Sequence, residues 1–172
     1  FLATEPPGRR AVRTELVLWN LATVCIAVGV TFDVVALTGL GGTLVLAGLA
    51  VFDHELRAMR RRSLQRAPWA TRWYRTAALL FACGALLGPL MADGVAWTHG
   101  SLLGAHLALN IGGWFGTAIV GTLHTFYPSL TGTRLRFARL QAPTHAAWTA
   151  GIAAVALASA FTLDAVAVGG WL

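Results

Sequence analysis

The residues of this chain best able to do chemistry are histidines on apolar segments. One long apolar run, residues 101–128, carries His106 near its start and His124 near its end. It is long enough to cross a bilayer, and ionisable side chains inside a membrane are costly and usually functional. The two histidines are 18 positions apart, which in an α-helix is about five turns and roughly 27 Å along one face. They therefore share a face but are too far apart to share one iron.

The same face of this run carries small or polar residues where a lipid-facing surface would carry bulky apolar ones. In order, the stripe consists of His106, Asn110, Gly113, Thr117, Gly121 and His124. We expect it to face protein, a cofactor, or both. The glycines leave both interpretations open, because small residues at this spacing let helices pack closely and a flat macrocycle needs the same absence of side chains.

The elements that must position these histidines are transmembrane helices. Of the 172 residues, 56% are hydrophobic and 12% are charged, and the mean hydropathy is +0.65, which is typical of membrane proteins. Five apolar segments can be drawn, at 16–34, 40–56, 76–91, 102–127 and 143–168. The second is the least distinct, because glycines blur its start and charged residues its end. We predict an all-α, polytopic transmembrane helix bundle of about five spans, with residues 1–172 as a single domain that is a module of a larger protein or complex.

The thirteen cationic residues are all arginine, and they predict the orientation of the bundle. They lie before the first segment, between the second and third, and between the fourth and fifth: Arg9, Arg10, Arg13, Arg57, Arg60, Arg61, Arg62, Arg66, Arg72, Arg75, Arg134, Arg136 and Arg139. The positive-inside rule then places the N-terminus in the cytoplasm and the C-terminus outside, in the plasma (inner) membrane of a bacterium. Because the arginines flank apolar segments, we interpret them as topology signals and expect no nucleic-acid partner.

Tryptophans and aspartates are distributed in agreement with this orientation. We expect Trp69 and Trp73 in an aromatic belt at the inner boundary, and Trp97 and Trp171 at the outer one. The outer ends of the first, third and fifth segments each carry an aspartate: Asp33, Asp93 and Asp164. These could feed protons or a cation, but solvated helix ends also explain them.

The orientation assigns each histidine to a depth. His54, His124 and His145 fall in the inner half on three different segments, whereas His99 and His106 fall on the outer side. Two imidazoles from different helices at one depth are what a b-type haem needs for its axial positions. The inner trio meets this requirement, with His145 and His54 as cross-helix partners of His124. The outer site needs His99 or a partner subunit to supply a second ligand.

Other metals fit the sequence less well. No HxxxH or ExxH spacing is present, which weakens a zinc or non-haem iron site. Copper held by histidine and methionine stays open, but Met59 and Met91 are expected at opposite membrane faces. For His54 and His145, contact with headgroups or water near the interface is an alternative to metal ligation, and His124 could instead hydrogen-bond a neighbouring helix.

Residues 106–134, HLALNIGGWFGTAIVGTLHTFYPSLTGTR, resemble a helix of membrane haem proteins related to haem–copper oxidase subunit I. In that group a histidine near the outer end of a helix is followed by a Gly-Trp or Gly-Gly pair, a further glycine, and an aromatic–proline or basic exit. Residues 72–75, RWYR, are similar to the start of a segment in actinobacterial-type membrane modules, some of them joined to cupredoxin domains. The resemblance implies that His106 ligates a low-spin haem.

The chain also departs from that family. The family's second low-spin ligand and its binuclear-centre ligands come from later helices and include a His-His pair, which this chain lacks. The resemblance therefore implies either a reduced relative that holds haem only or one part of a larger assembly. It does not imply a complete oxygen- or nitric oxide-reducing centre.

From these patterns we predict a haem b-binding integral membrane protein for electron transfer or haem-dependent redox or gas chemistry, an electron-transfer or accessory module more than a complete enzyme. The predicted cofactor-binding residues are His106, His124, His145, His54, Asn110 and Gly113, with the four histidines as iron ligands. We expect membrane lipid and a partner subunit or homo-oligomer as partners. Two alternatives stay open: a non-catalytic subunit of a larger respiratory complex whose histidines are only hydrogen-bonded, and a copper or small-solute transport module.

Overall fold

The computed structural model describes residues 5–63, 68–132 and 138–162, which form five long helices and no strand. Four of them are α1 (Arg9–Thr31), α2 (Val35–Arg62), α3 (Pro68–Ala92) and α5 (Gln141–Phe161), the last preceded by a 3₁₀ turn, Ala138–Leu140. The fourth, α4, is continuous but has three parts: α-helical Leu102–Leu107, π-helical Ala108–Gly116 and α-helical Thr117–Thr131. Each of the five is long and apolar enough to cross a membrane, which confirms the predicted helical bundle of five candidate spans.

The helices at the arginine-rich end extend beyond the predicted apolar segments. α2 continues to Arg62 and α3 begins at Pro68, so Arg57, Arg72 and Arg75 lie on helices and not in a surface loop. Arginine permits this because its long side chain keeps the charged group in the polar boundary while the backbone stays hydrogen-bonded within the helix. α1 likewise begins at Arg9, seven positions before the predicted start.

The alternating direction of the helices collects the described arginines at one end of the bundle. They lie at the start of α1, at the end of α2, in the first turns of α3 and just before α5. The predicted topology signals Arg66, Arg134 and Arg136 lie outside the described residues, as do Asp164, Trp171 and the last part of the predicted fifth segment. Trp73 is not in an interfacial belt as predicted: it is fully buried between helices.

α1 and α2 form a close hairpin that completes one core of the bundle. A Cβ atom on Gly41 would lie 2.5 Å from Cγ1 of Ile26, so only glycine allows this approach. Ala22, Val45, Leu49 and Ala78 form the buried centre of this core. Beside it the aromatic rings of Trp19, Phe81 and Trp114 stack, with centroid distances of 5.2–6.4 Å, and join α1 to α3 and α4.

α4 lies between α3 and α5, and its glycines let both of these helices approach it closely. A Cβ on Gly113 would lie 2.8 Å from Cβ of Leu80 on α3, and one on Gly112 would lie 2.6 Å from Cδ1 of Ile152 on α5. Adjacent glycines thus face opposite neighbours. Further along α4, a Cβ on Gly121 would lie 2.5 Å from Cβ of Trp73 on α3.

The contact between Gly121 and Trp73 predicts a specific loss of stability. Because the buried indole cannot move aside, we expect Gly121→Ala to overpack the α3–α4 interface and lower the free energy of unfolding by about 1–3 kcal/mol. The matched control is Gly39→Ala on α2, where nothing lies within 4 Å of an added Cβ. Alanine at that position should be neutral or slightly stabilising. Thermal unfolding of the detergent-solubilised variants, followed by circular dichroism, measures both. Equal melting temperatures for the two variants would contradict the packing described.

Candidate functional site

His106 is held by two hydrogen bonds that fix its tautomer. Its Nδ1 lies 2.8 Å from the carbonyl oxygen of Gly84 on α3, and its Nε2 lies 2.8 Å from Nδ2 of Asn110, one turn further along α4. A carbonyl oxygen can only accept, so Nδ1 carries the proton and Nε2 accepts from the Asn110 amide. In this arrangement Nε2 is the ring atom that carries the lone pair, and a ligand or metal that bound there would have to displace the Asn110 amide. An Nδ1–H group bonded to a carbonyl is the usual second contact of a metal-bound histidine.

Asn110 packs tightly against α3. Its side-chain oxygen lies where a Cβ on Gly84 would be, so glycine at that position admits the amide. That oxygen is buried and has no hydrogen-bond partner among the described residues. A buried amide oxygen without a partner is unfavourable and marks places where a further group completes the site.

His106 and Asn110 line a cavity of about 540 Å³ between α1, α2, α3 and α4. Most of its wall is apolar, including Ile26, Val45 and Phe81. The other potential donor groups on the wall are Met91, Asp33 and Thr38. Ligand cavities in proteins are typically of this size, about 300–1,000 Å³, with a few polar groups in an apolar lining.

Two further predicted ligands, His124 and His145, come together around Trp73. The imidazole of His124 stacks on the indole, with centroids 5.6 Å apart and planes 21° from parallel, while His145 meets it edge-on at 4.7 Å. His124 Nδ1 lies 2.9 Å from the Val120 carbonyl of its own helix, and His145 Nε2 lies 2.9 Å from the Thr76 hydroxyl on α3. Each of these rings thus has one nitrogen hydrogen-bonded to the protein, whereas both ring nitrogens of His106 are hydrogen-bonded.

The remaining two histidines lie apart from these groups. His54 is exposed on α2. His99 is exposed in the connection between α3 and α4, where its ring contacts Trp97 and Phe161. In the part of the chain that the structure describes, no three histidine, cysteine or acidic side chains are grouped closely enough to hold a metal ion.

The small, polar stripe of α4 faces protein along most of its length. His106, Asn110, Gly113, Gly121 and His124 contact α3, whereas Thr117 faces α5 and is fully buried. The Thr117 hydroxyl accepts from Trp148 Nε1 at 2.9 Å and donates to the carbonyl of Gly112 at 3.3 Å, five residues earlier. The His106–Asn110 end of the stripe also borders a cavity.

Two residues of these sites are not identifiable from the sequence as partners of the histidines. Met91, at the end of α3, lines the same cavity as His106. Trp73 fills the space beside both His124 and His145. Met91 and Trp73 lie on different helices from the histidines they accompany. The length of an apolar segment does not tell how its helix is rotated relative to its neighbours. The sequence signal for Met91 was that the end of the third segment and the start of the fourth were expected on the same side of the membrane.

Comparisons of the chain with protein-family models, with curated proteins and with solved structures found no match.

The tautomer of His106 can be measured directly. With ¹⁵N-labelled histidine, we expect the NMR resonances of this ring to show a protonated Nδ1 and an unprotonated, hydrogen-bonded Nε2. Asn110→Ala removes the donor to Nε2, so the Nε2 resonance should move while Nδ1 stays protonated. His99→Gln serves as the control, since it removes one histidine signal without touching the pair. A ring without a proton on Nδ1 in the unaltered protein would contradict the Gly84 hydrogen bond.

Proposed function

We propose that this chain is a multi-pass protein of a bacterial plasma (inner) membrane that binds a b-type haem in the cavity lined by His106, and that it serves electron transfer or haem-dependent redox chemistry. The observation that carries the proposal is the His106 imidazole on the wall of an apolar cavity, with its Nδ1–H held by the Gly84 carbonyl. The N-terminus would lie in the cytoplasm, because the described arginines share one end of the bundle.

The donor groups of this cavity fit the proposed cofactor. Haem iron is commonly held by one histidine nitrogen, and a methionine sulfur is a frequent second axial ligand. His106 and Met91 provide these two atoms on α4 and α3 around a common space. Gly88, also on the wall, would bring a Cβ to 3.7 Å from Cε1 of His106, so a side chain there would narrow the space beside the imidazole.

The cluster around Trp73 does not fit a haem held by two histidines. A macrocycle between His124 and His145 would need the space that the indole fills, and the indole is fully buried. His54 is exposed on another helix and makes no described contact with either ring. The arrangement therefore favours the His106 cavity over the predicted inner ligand sets, and it gives His124 and His145 a packing role.

Within the proposal, the protein's own residues would bind the haem, orient its ligand and shield it from water. A bound b-type haem supplies one-electron redox chemistry, and its potential depends on axial ligands and on exclusion of water. The Gly84 carbonyl orients the His106 ring and increases its basicity as a ligand. Asn110 donates to Nε2 and would have to move aside when Nε2 bound iron, and the apolar wall would limit the access of water.

A second candidate is a non-catalytic subunit of a larger respiratory complex. It is supported by one observation: His106, His124 and His145 each have a protein hydrogen-bond partner. The bonds of His106 and His145 join α4 and α5 to α3 without any cofactor. Under this proposal the cavity would be filled by lipid or by a partner helix.

Absorption spectroscopy of the purified protein distinguishes the two candidates. We expect a red preparation with a Soret band that sharpens on reduction with dithionite. His106→Ala should abolish or strongly weaken the band, because it removes the imidazole ligand. Met91→Leu should keep the band but shift it, since it removes the thioether at nearly constant volume.

The control is His99→Ala, which changes a histidine outside the cavity and should leave the spectrum unchanged. Loss of the band in His145→Ala, with His106→Ala unaffected, would move the haem to the other end of the bundle. A colourless, well-folded protein that contains no iron would refute the haem proposal and favour the subunit.

A further inference from the structure

A second cavity lies at the arginine-rich end of the bundle, between α2 and α3 and beside the start of α5. Its volume is about 490 Å³. We call it the arginine cleft. Its charged wall consists of Arg57, Arg72, Arg75 and Asp53, and its apolar wall includes Leu46, Leu49 and Leu79.

The two walls of the arginine cleft change from charged to apolar in the same direction. α2 and α3 are antiparallel, so going from Arg57 to Leu46 on α2 and from Arg72 to Ala82 on α3 leads away from the arginine-rich end. Each of these stretches rises about 15 Å along its helix, half of the ~30 Å hydrocarbon thickness of a bilayer. The whole cleft, with its charged and apolar walls together, therefore spans about the depth of one leaflet.

The charges of the cleft are not balanced by the described residues. Asp53 pairs with Arg57 one turn away, and it accepts a hydrogen bond from Nε of Arg75 at 2.8 Å. Arg72 has no carboxylate partner among the described residues, and its guanidinium lies 4.6 Å from the centre of the Trp69 ring. Three guanidinium groups and one carboxylate leave a local charge of 3 − 1 = +2. Each guanidinium has five N–H donors, and the one carboxylate of the cleft pairs with Arg57 and Arg75.

We propose that the arginine cleft binds one anionic phospholipid, with its phosphate at Arg72 and Arg75 and an acyl chain along Leu46, Leu49 and Leu79. Basic pockets between transmembrane helices on the cytoplasmic side are a recognised form of lipid headgroup site. A free phosphate would share the charge chemistry but would leave the apolar wall uncovered. The proposal is independent of any haem in the cavity at the other end.

The test counts bound lipid by native mass spectrometry on delipidated protein in detergent. We expect one phosphatidylglycerol per chain to be retained in preference to phosphatidylcholine. Arg72→Gln should weaken this binding about tenfold, the effect of losing a charge-assisted hydrogen bond. Arg60→Gln is the matched control, because Arg60 is exposed at the same end of α2 and does not line the cleft. It should change the affinity by less than about twofold.

A second pair of variants tests the apolar wall without disturbing the core. Leu79 is 65% exposed and lines the cleft, whereas Leu86 is 55% exposed on the same helix and does not. Leu79→Ser should weaken phosphatidylglycerol binding several-fold, and Leu86→Ser should not. Circular dichroism verifies that all four variants are folded.

Three outcomes would overturn the proposal. Equal losses in Arg72→Gln and Arg60→Gln would mean diffuse attraction to surface charge. Equal retention of phosphatidylcholine would mean a groove without selectivity for charge. Displacement of phosphatidylglycerol by millimolar inorganic phosphate, with Leu79→Ser without effect, would mean a site for the free anion.

Discussion

The close approach of α4 to α3 is the constraint on which the rest of the structure depends. Lipid tails are as apolar as leucine, so helices in a membrane associate through packing and hydrogen bonds more than through hydrophobic burial. At Gly113 and Gly121 the side chains of Leu80 and Trp73 occupy the positions of the missing Cβ atoms. Because the two helices are this close, the His106 ring can hydrogen-bond directly to the backbone carbonyl of Gly84 on α3.

The π-helical part of α4 carries residues that contact both neighbouring helices. Its wider turn spans Ala108–Gly116, and the backbone N–H of Thr117 donates to the carbonyl of Gly112, five residues earlier. Gly112 faces α5 while Gly113 faces α3, and the buried Thr117 hydroxyl meets Trp148 on α5. One short stretch of α4 therefore packs against helices on both of its sides.

The number and class of the helices could be predicted from the sequence, because apolar length and arginine position depend on the bilayer alone. The ends of α2 and α3 could not, since a helix continues past the hydrocarbon wherever long arginine side chains reach water, as they do near Arg62 and Arg72. The stripe on α4 was predicted to face protein or a cofactor, and it faces α3 along most of its length. The rotation of α3 about its own axis places Trp73 against His124 and His145. That rotation depends on the neighbouring helices, so the pattern of a single segment could not predict it.

The two cavities differ in the polar groups that line them: mainly arginines at one end of the bundle, and an imidazole and an amide at the other. Around His106 the polar groups are an imidazole, a side-chain amide and a backbone carbonyl, joined by two hydrogen bonds. At the other end Asp53 joins the arginines of α2 and α3 and lets their helix ends approach despite like charges. One carboxylate leaves the three guanidinium groups of the cleft with a net positive charge. Within the proposed lipid site, the phosphate would supply the counter-charge that the described side chains lack.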